Sequence, residues 1–432
     1  MRKSLGIGLI ALVALVTLAG CSGDAAPDVA QSDDAIVDVP VSTVRDQRET
    51  GNCWLYATTA WVESLERAVL QEKRSSSRTT SPSPLSVTYL DYWDWYSKIT
   101  GGEIKGTDAK ALREDQLDSG GSWGYAVEIM ARFGVARASE LGGTGLTKDA
   151  DVTNAALGTI IASLLNGPLK TAAARKDGAL VRKELDKAFE LSSKVSASLT
   201  ASFGADGKKS FTKGTASASE VVVPPDALEV LIPRAGGAAV VRPLSDAIGQ
   251  RAAPGDDPDT RAGEFAWRVA PYARKSPAAT RTYFRRIQRA LHAGVAIPVS
   301  WFLAANGDPD SRGAYRAIPA EPADSVDSVA HMTVIADYEV ANVPGYGTLK
   351  AGASATPAQR EAALDERATI VFFRVTDSYA TRVVDRKRVA VNDLYVEYLT
   401  GTVRVCPAGE PRTSRKCRDE IPLEDVTLPP GF

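Results

Sequence analysis

The stretch Asp46-Gln47-Arg48-Glu49-Thr50-Gly51-Asn52-Cys53-Trp54-Leu55-Tyr56-Ala57 decides how the rest of the chain is read. From Trp54 the apolar residues Trp54, Leu55, Trp61, Val62, Leu65, Ala68 and Val69 fall at helical spacing, which predicts an amphipathic helix with Cys53 at its mouth. Unpaired N–H groups and the positive end of the helix dipole favour a thiolate at such a position. The thiolate is the nucleophilic form of cysteine, so covalent catalysis is expected at Cys53. The competing reading is a small buried Cys that starts a core helix.

Upstream, Arg2 and Lys3 precede an apolar stretch from Leu5 to Ala19. A basic start, a short apolar segment and small residues at the cut site describe a secretory signal. The segment is shorter than the roughly 18 residues that a spanning helix needs. Leu18-Ala19-Gly20-Cys21 also resembles a bacterial lipobox. That implies acylation of Cys21 and an exported, lipid-anchored protein of the cell envelope. Residues 1–20 are assigned to the signal. Residues 21–41, rich in Asp, Ala and Ser and without periodicity, are assigned to a flexible tether.

A chain of 432 residues is long enough to bury one large core or two smaller ones. The formal net charge of −2 gives no reason to expect nucleic acid. With two histidines and no Cys/His cluster at ligand spacing, no metal site and no cofactor are expected. The four cysteines are Cys21, Cys53, Cys406 and Cys417. If Cys21 carries lipid, Cys406 and Cys417 are free to pair across a short loop in an oxidising compartment, leaving Cys53 as the free thiol. A bridge from Cys53 to Cys406 or Cys417 is the open alternative, and it would abolish nucleophilicity.

Past the first helix, Leu85 to Ile99 is aromatic-rich and predicted helical, with Ser86 as N-cap. Gly120-Gly121-Ser122-Trp123-Gly124 breaks the chain before another amphipathic helix, Tyr125 to Phe133. Residues from about 151 to 195 read as charged and helical, 196–220 as a loop or hairpin insertion, and 253–263 as a further loop. Thr282 to His292 reads as a basic helix, with His292 in its last turn as a structural residue. The texture then changes: Val295 to Phe302, His331 to Val340 and Thr369 to Val375 read as strands. A helical first half and a strand-rich second half predict an α+β protein with a cleft between two lobes.

A thiol nucleophile needs a base within hydrogen-bond reach, and the base needs an orienting partner. Of the two histidines only His331 opens a predicted strand, and Asp377 ends the next one. Neighbouring strands would bring these two ends together. The Gln47 side chain and the Cys53 backbone N–H are the candidate donors to an oxyanion.

Gln47, Gly51-Asn52-Cys53-Trp54, His331 and Asp377-Ser378-Tyr379 resemble the papain-like cysteine peptidases, in that family's chain order. Leu85-Ser86, Leu90, Trp93-Asp94 and Gly120-Gly121-Ser122-Trp123 make the bleomycin hydrolase and aminopeptidase C branch the nearer match. Ordinary papain relatives place the His roughly 130 to 150 residues after the Cys. The far larger separation here fits that branch's helical insertions. The resemblance implies a papain-like two-lobe fold over residues 42–405, with a large, mostly helical insertion at about 145–290 and a C-terminal tail at 406–432. It also implies that Gly120 and Gly121 offer backbone to an extended peptide substrate. The chain has Asp377-Ser378-Tyr379-Ala380 where the family has Asn-Ser-Trp-Gly. The Asp adds a negative charge expected to raise the His331 pKa. Tyr379 in place of a shielding Trp is expected to leave the His–Asp bond more open to water.

The expected activity is peptide-bond hydrolysis outside the cytoplasm by a membrane-tethered cysteine peptidase. Cys53 would be the nucleophile, His331 the base, Asp377 its orienter and Gln47 the oxyanion donor. The contrasting expectation is a catalytically impaired papain-fold lipoprotein that binds peptides or a protein partner. A transglutaminase-like acyl transferase shares the Cys-His-Asp chemistry, but no motif points to it. Substrate side-chain preference, terminal or internal cleavage and oligomeric state are not encoded in any motif of the chain.

Overall fold

In the computed structural model the described residues are 36, 39, 45–48, 50–73, 83–101, 120–141, 146–212, 214, 219–251, 257–274, 276–303, 313–316, 329–378, 383–384, 387–388, 391–405 and 413–432. The signal at 1–20, Cys21, Cys406, Tyr379 and Ala380 lie outside them. Helix α1, Cys53–Lys73, begins at the cysteine as its sequence predicts. Its apolar positions do not form a single stripe, because Trp54, Leu55, Trp61, Val62 and Leu65 are all fully buried. A helix buried on nearly every side runs through the interior rather than over it. Thr58 and Thr59 tolerate that burial by bonding back along the helix, to the Trp54 carbonyl at 2.8 Å and the Leu55 carbonyl at 2.6 Å.

Two helices pack beside it, α2 (Val87–Gly101) and α3 (Trp123–Phe133). The Ser86 hydroxyl accepts from the Tyr89 N–H at 3.1 Å, the cap that the sequence predicts. Trp93 on α2 stacks on Phe133 of α3 with centroids 3.9 Å apart, and meets Phe203 edge-on at 4.8 Å. Phe203 ends the helix Ser193–Phe203, so the loop predicted from residue 196 begins one turn or more too early. Ser192 caps that helix, and Val195, Leu199 and Phe203 bury one face four residues apart.

The second layer is one sheet. In chain order its strands are β1 (Arg268–Pro271), β2 (Ile297–Leu303), β3 (Ala314–Tyr315), β4 (Val329–Val343), β5 (Gly347–Leu349), β6 (Thr369–Thr376), β7 (Val391–Tyr395) and β8 (Leu423–Leu428). Their spatial order is β1-β8-β2-β4-β6-β7-β3, with β5 hairpinned onto β4. Every pairing is antiparallel except β7 with β3. Helix α1 packs across β4, and Ser64 Oγ accepts from the Ala296 N–H at 2.9 Å just ahead of β2. Helices before, sheet after: the chain is α+β, as expected.

Three domain boundaries need correction. The tail expected at 406–432 contains β8, which hydrogen-bonds to β1 on one side and β2 on the other. Leu423, Val426 and Leu428 of β8 belong to the core. The tether expected at 21–41 contains Ile36, which is fully buried, and Val39, which packs on the core. The mostly helical insertion at about 145–290 is helical to Phe203 but then mixes strands with the helices Leu244–Ile248 and Pro277–His292, and β1 within it joins the main sheet. In each case a short apolar run without clear periodicity gains its order from a distant partner.

A chain ending at Val405 would lose β8 and leave β1 and an edge of β2 unpaired. It should show no cooperative thermal unfolding by circular dichroism. A melt close to that of the full chain would mean that β8 is dispensable.

Candidate active site

The antiparallel register of β4 and β6 sets Val334 opposite Thr376. His331, three residues before Val334, and Asp377, one after Thr376, therefore lie at the same end of the sheet. His331 Nε2 and Asp377 Oδ1 are 2.8 Å apart, with the two side chains 0% and 1% exposed. The other carboxylate oxygen, Oδ2, accepts from Asn392 Nδ2 at 2.5 Å. Asn392 comes from β7, where it stands opposite Val375. The Asp377 carboxylate is thus held from two sides.

Burial alone would lower the His331 pKa. The charge and hydrogen bond of Asp377, followed by the hydrogen bond and charge of Cys53, override that and raise it to about 10. With Nε2 facing Asp377, Nδ1 is the ring nitrogen left for Cys53. Trp301 of β2, directly across from His331, lies edge-on to the imidazole with centroids 5.4 Å apart. Its indole N–H donates to Thr333 Oγ1 at 3.2 Å, which fixes the ring. The expectation that Tyr379 would leave the His–Asp bond open to water is therefore corrected: the bond is buried, and Trp301 supplies an aromatic wall from a different strand.

The other histidine has the opposite environment. His292 Nε2 lies 2.8 Å from the Tyr338 hydroxyl, and burial followed by the charge of Arg360 pushes its pKa down to about 4. It sits in the last turn of the helix Pro277–His292, apart from Cys53.

Gln47 is fully buried and bonded at both ends of its amide. Its Oε1 accepts from Ser378 Oγ at 2.5 Å, and its Nε2 donates to the Thr50 carbonyl at 2.7 Å. Its backbone N–H donates to the Ser378 carbonyl at 2.8 Å. An amide nitrogen carries two hydrogens, so one bond to Thr50 leaves a second N–H.

Cys53 and His331 open into a cleft of about 210 Å³, lined also by Gly121, Ser122, Trp123, Asp259, Val269, Ser300, Ala330, Met332, Glu424 and Asp425. A Cβ built on Gly121 would lie 2.5 Å from the Trp54 ring, so only glycine fits beside the residue that follows the cysteine. Gly120 and Gln47 are not in the lining; the Gly120 carbonyl accepts from Lys98 Nζ at 2.8 Å.

Cys53 is buried and a free thiol. Cys417 is buried too, and its expected partner Cys406 lies outside the described residues. Among the described residues no group of three or more His, Cys, Asp or Glu is placed to hold a metal ion. The arrangement thus joins a thiol, an imidazole and a carboxylate from three distant stretches, which is the equipment of nucleophilic acyl transfer. Sequence reasoning missed Asn392, Trp301 and the carboxylates of the cleft. Trp301 stood in a predicted strand, Asp259 in the loop read at 253–263, Glu424 and Asp425 in the expected tail, and Asn392 in a stretch read as no element.

No protein-family model matches the chain, and no curated protein matches it in sequence. Solved structures that match the chain in fold include the following two. PepW from Lactobacillus rhamnosis HN001 shares 11% identity at a TM-score of 0.41, over 93% of this chain and 82% of its own. Xylellain, a cysteine protease from Xylella fastidiosa, shares 11% identity at a TM-score of 0.35, over 94% of this chain and 90% of its own.

The two histidines should separate cleanly in a titration followed by 15N-edited NMR. His331 should change charge near pH 10 and His292 near pH 4, each assigned by substitution. Since the folded value of His331 lies above its ordinary 6.5, its contribution to stability is complete below about pH 6.5 and is lost as pH rises through about 10. Asp377→Asn should lower the His331 midpoint. A midpoint that stays put would show that Asp377 is not what holds the proton.

Proposed function

We propose that the chain is a papain-like cysteine peptidase. The observation that carries the reading is the buried His331–Asp377 pair opening onto the same cleft as the free thiol of Cys53. In this reading Cys53 Sγ attacks the scissile carbonyl as thiolate. The backbone N–H of Cys53 and the second N–H of Gln47 receive the oxyanion. As the C–N bond breaks, the His331 imidazolium gives its proton to the leaving amine, and a thioester remains. Water then attacks the thioester while His331 takes its proton, releasing the acid and the thiolate. Asp377 and Asn392 keep the imidazole oriented throughout, and Gly121 lets peptide backbone approach the nucleophile.

The high His331 pKa favours the thiolate–imidazolium pair that starts the cycle, but it leaves little neutral ring to act as base toward water in the second half. Acylation removes the thiolate, one of the groups that raises that pKa, which eases deacylation. The same property supports the second reading, a papain-fold protein that is acylated or binds peptide but does not turn over. A burst of one product per site, with no steady state after it, would select that reading.

A peptidyl epoxide should label wild type stoichiometrically at Cys53 and leave Cys53→Ala unlabelled. On a fluorogenic peptide, His331→Ala should lose nearly all kcat/KM and His292→Ala should keep it. Asp377→Asn should retain activity but move the upper arm of the pH profile to lower pH, and Asp377→Ala should cost more. Equal loss in both histidine variants would overturn the site assignment.

We propose further that the protein is exported and lipid-anchored at Cys21, with Cys406 bridged to Cys417; the lipobox-like run and the cysteine count support this. Cys21→Ser should leave an uncut precursor or release the protein from membranes. Mass mapping of the non-reduced mature protein should find an acylated Cys21 and one Cys406–Cys417 peptide pair. An unmodified Cys21, or a bridge that includes Cys53, would remove the corresponding claim.

A further inference from the structure

Cysteine peptidase chemistry needs no acid beyond the one that orients the histidine, yet three more carboxylates line the cleft: Asp259, Glu424 and Asp425. Among the described residues no Lys or Arg lines it with them. Glu424 and Asp425 are consecutive on β8, and an unbroken strand would send consecutive side chains to opposite faces. The register of β8 against β2 slips between Leu423 and Asp425, as at a β-bulge, and both residues line the same cleft. Bulges that re-aim a side chain are concentrated beside active sites.

Among the described residues no cation acts on Glu424 or Asp425, whereas Asp259 feels the charge of Arg261. Burial, followed by the charges of Asp425 and Glu420, raises the Glu424 pKa to about 7. Burial raises Asp425 to about 6, with a hydrogen bond from Ser300 opposing and the charge of Asp259 adding. Asp259 has one oxygen committed to α3, accepting from Ser122 Oγ at 3.0 Å and the Gly124 N–H at 2.7 Å. Trp123 also lines the cleft and is 1% exposed; its buried indole N–H has no partner among the described residues. Like charges gathered in a half-buried cleft without a resident cation are costly unless a ligand brings one.

We propose that Glu424 and Asp425, with Asp259 at the rim, form a subsite for a cationic group of the substrate, an ammonium or guanidinium beside the bond that Cys53 attacks. This rests on the peptidase reading. The cleft's volume of about 210 Å³ suits one side chain or one chain terminus rather than a large ligand. Two sources share this chemistry: a Lys or Arg side chain, and the α-ammonium of an N-terminal residue.

The test is a panel of fluorogenic peptides that differ at the residue beside the scissile bond, with Lys, Arg, Gln, norleucine or Glu, each with a free and an acetylated N-terminus. Wild type should favour the cationic members by about tenfold or more in kcat/KM. Glu424→Gln and Asp425→Asn should each shrink that ratio, and the double variant should bring it close to one. Glu424→Lys should turn the preference toward Glu. A preference that survives acetylation but not Lys to norleucine assigns the subsite to a side chain; one that vanishes on acetylation assigns it to the α-ammonium. The same panel bound to Cys53→Ala, read by anisotropy, separates this proposal from the peptidase reading. Charge preference in binding with no turnover in wild type overturns the peptidase and leaves the subsite. Turnover and binding that ignore charge, or variants with an unchanged ratio, overturn the subsite and leave the peptidase.

Discussion

The structure turns on the double hydrogen bond between Gln47 and Ser378. One strand of it runs from the Gln47 N–H to the Ser378 carbonyl, the other from the Ser378 hydroxyl to the Gln47 amide oxygen. Gln47 leads into the helix that Cys53 opens, and Ser378 follows the carboxylate that holds His331. These buried bonds set the spacing between helix and sheet at the one place where chemistry is proposed. The approach to Gln47 is pinned in turn by Arg45, ion-paired with Glu63 of α1 at 2.5 Å and bonded to the Leu85 carbonyl at 2.6 Å. Glu63 also accepts from the Leu85 N–H at 2.6 Å. Both bonds fall on Glu63 Oε1, while the buried Oε2 has no hydrogen-bond partner among the described residues; breaking either member of the pair would leave an uncompensated charge inside.

Legibility in the sequence followed residue type and range. Cys53, His331 and Asp377 stood out because two histidines left few candidates for a base, and strand alternation placed one of them at a strand start. Strands β2, β4 and β6 announced themselves by their β-branched and aromatic runs. Trp301 and Asn392 did not announce themselves as neighbours of that site, because a cross-strand neighbour is fixed by register, and register is written in no single segment. The helix ending at Phe203 was hidden by its Ser and Thr content, which offers weak propensity, and by its sparse apolar periodicity. Strand β8 was hidden differently: Glu424-Asp425 interrupts its alternation, and the bulge that explains the interruption exists only against β2.

The chain's two imidazoles illustrate how one side chain takes opposite values in one fold. Both are largely buried, which by itself favours the neutral ring. A carboxylate at hydrogen-bond distance outweighs burial for His331, whereas a neutral phenol and a nearby guanidinium leave burial unopposed for His292. A sequence shows that two histidines exist. Only the partners delivered by β6 and β7 decide which one carries charge.

The walls of the cleft reach it from positions scattered across the chain, the thiol near one end and β8 near the other. Contacts of such long separation form late, because each must first close a large loop. During synthesis the cysteine therefore emerges well ahead of its histidine, and β8 emerges after both. A growing chain would carry its thiol without a base, and then a base without the acidic wall. The order of residues acts as a timer: the cleft is complete only once synthesis has passed Asp425.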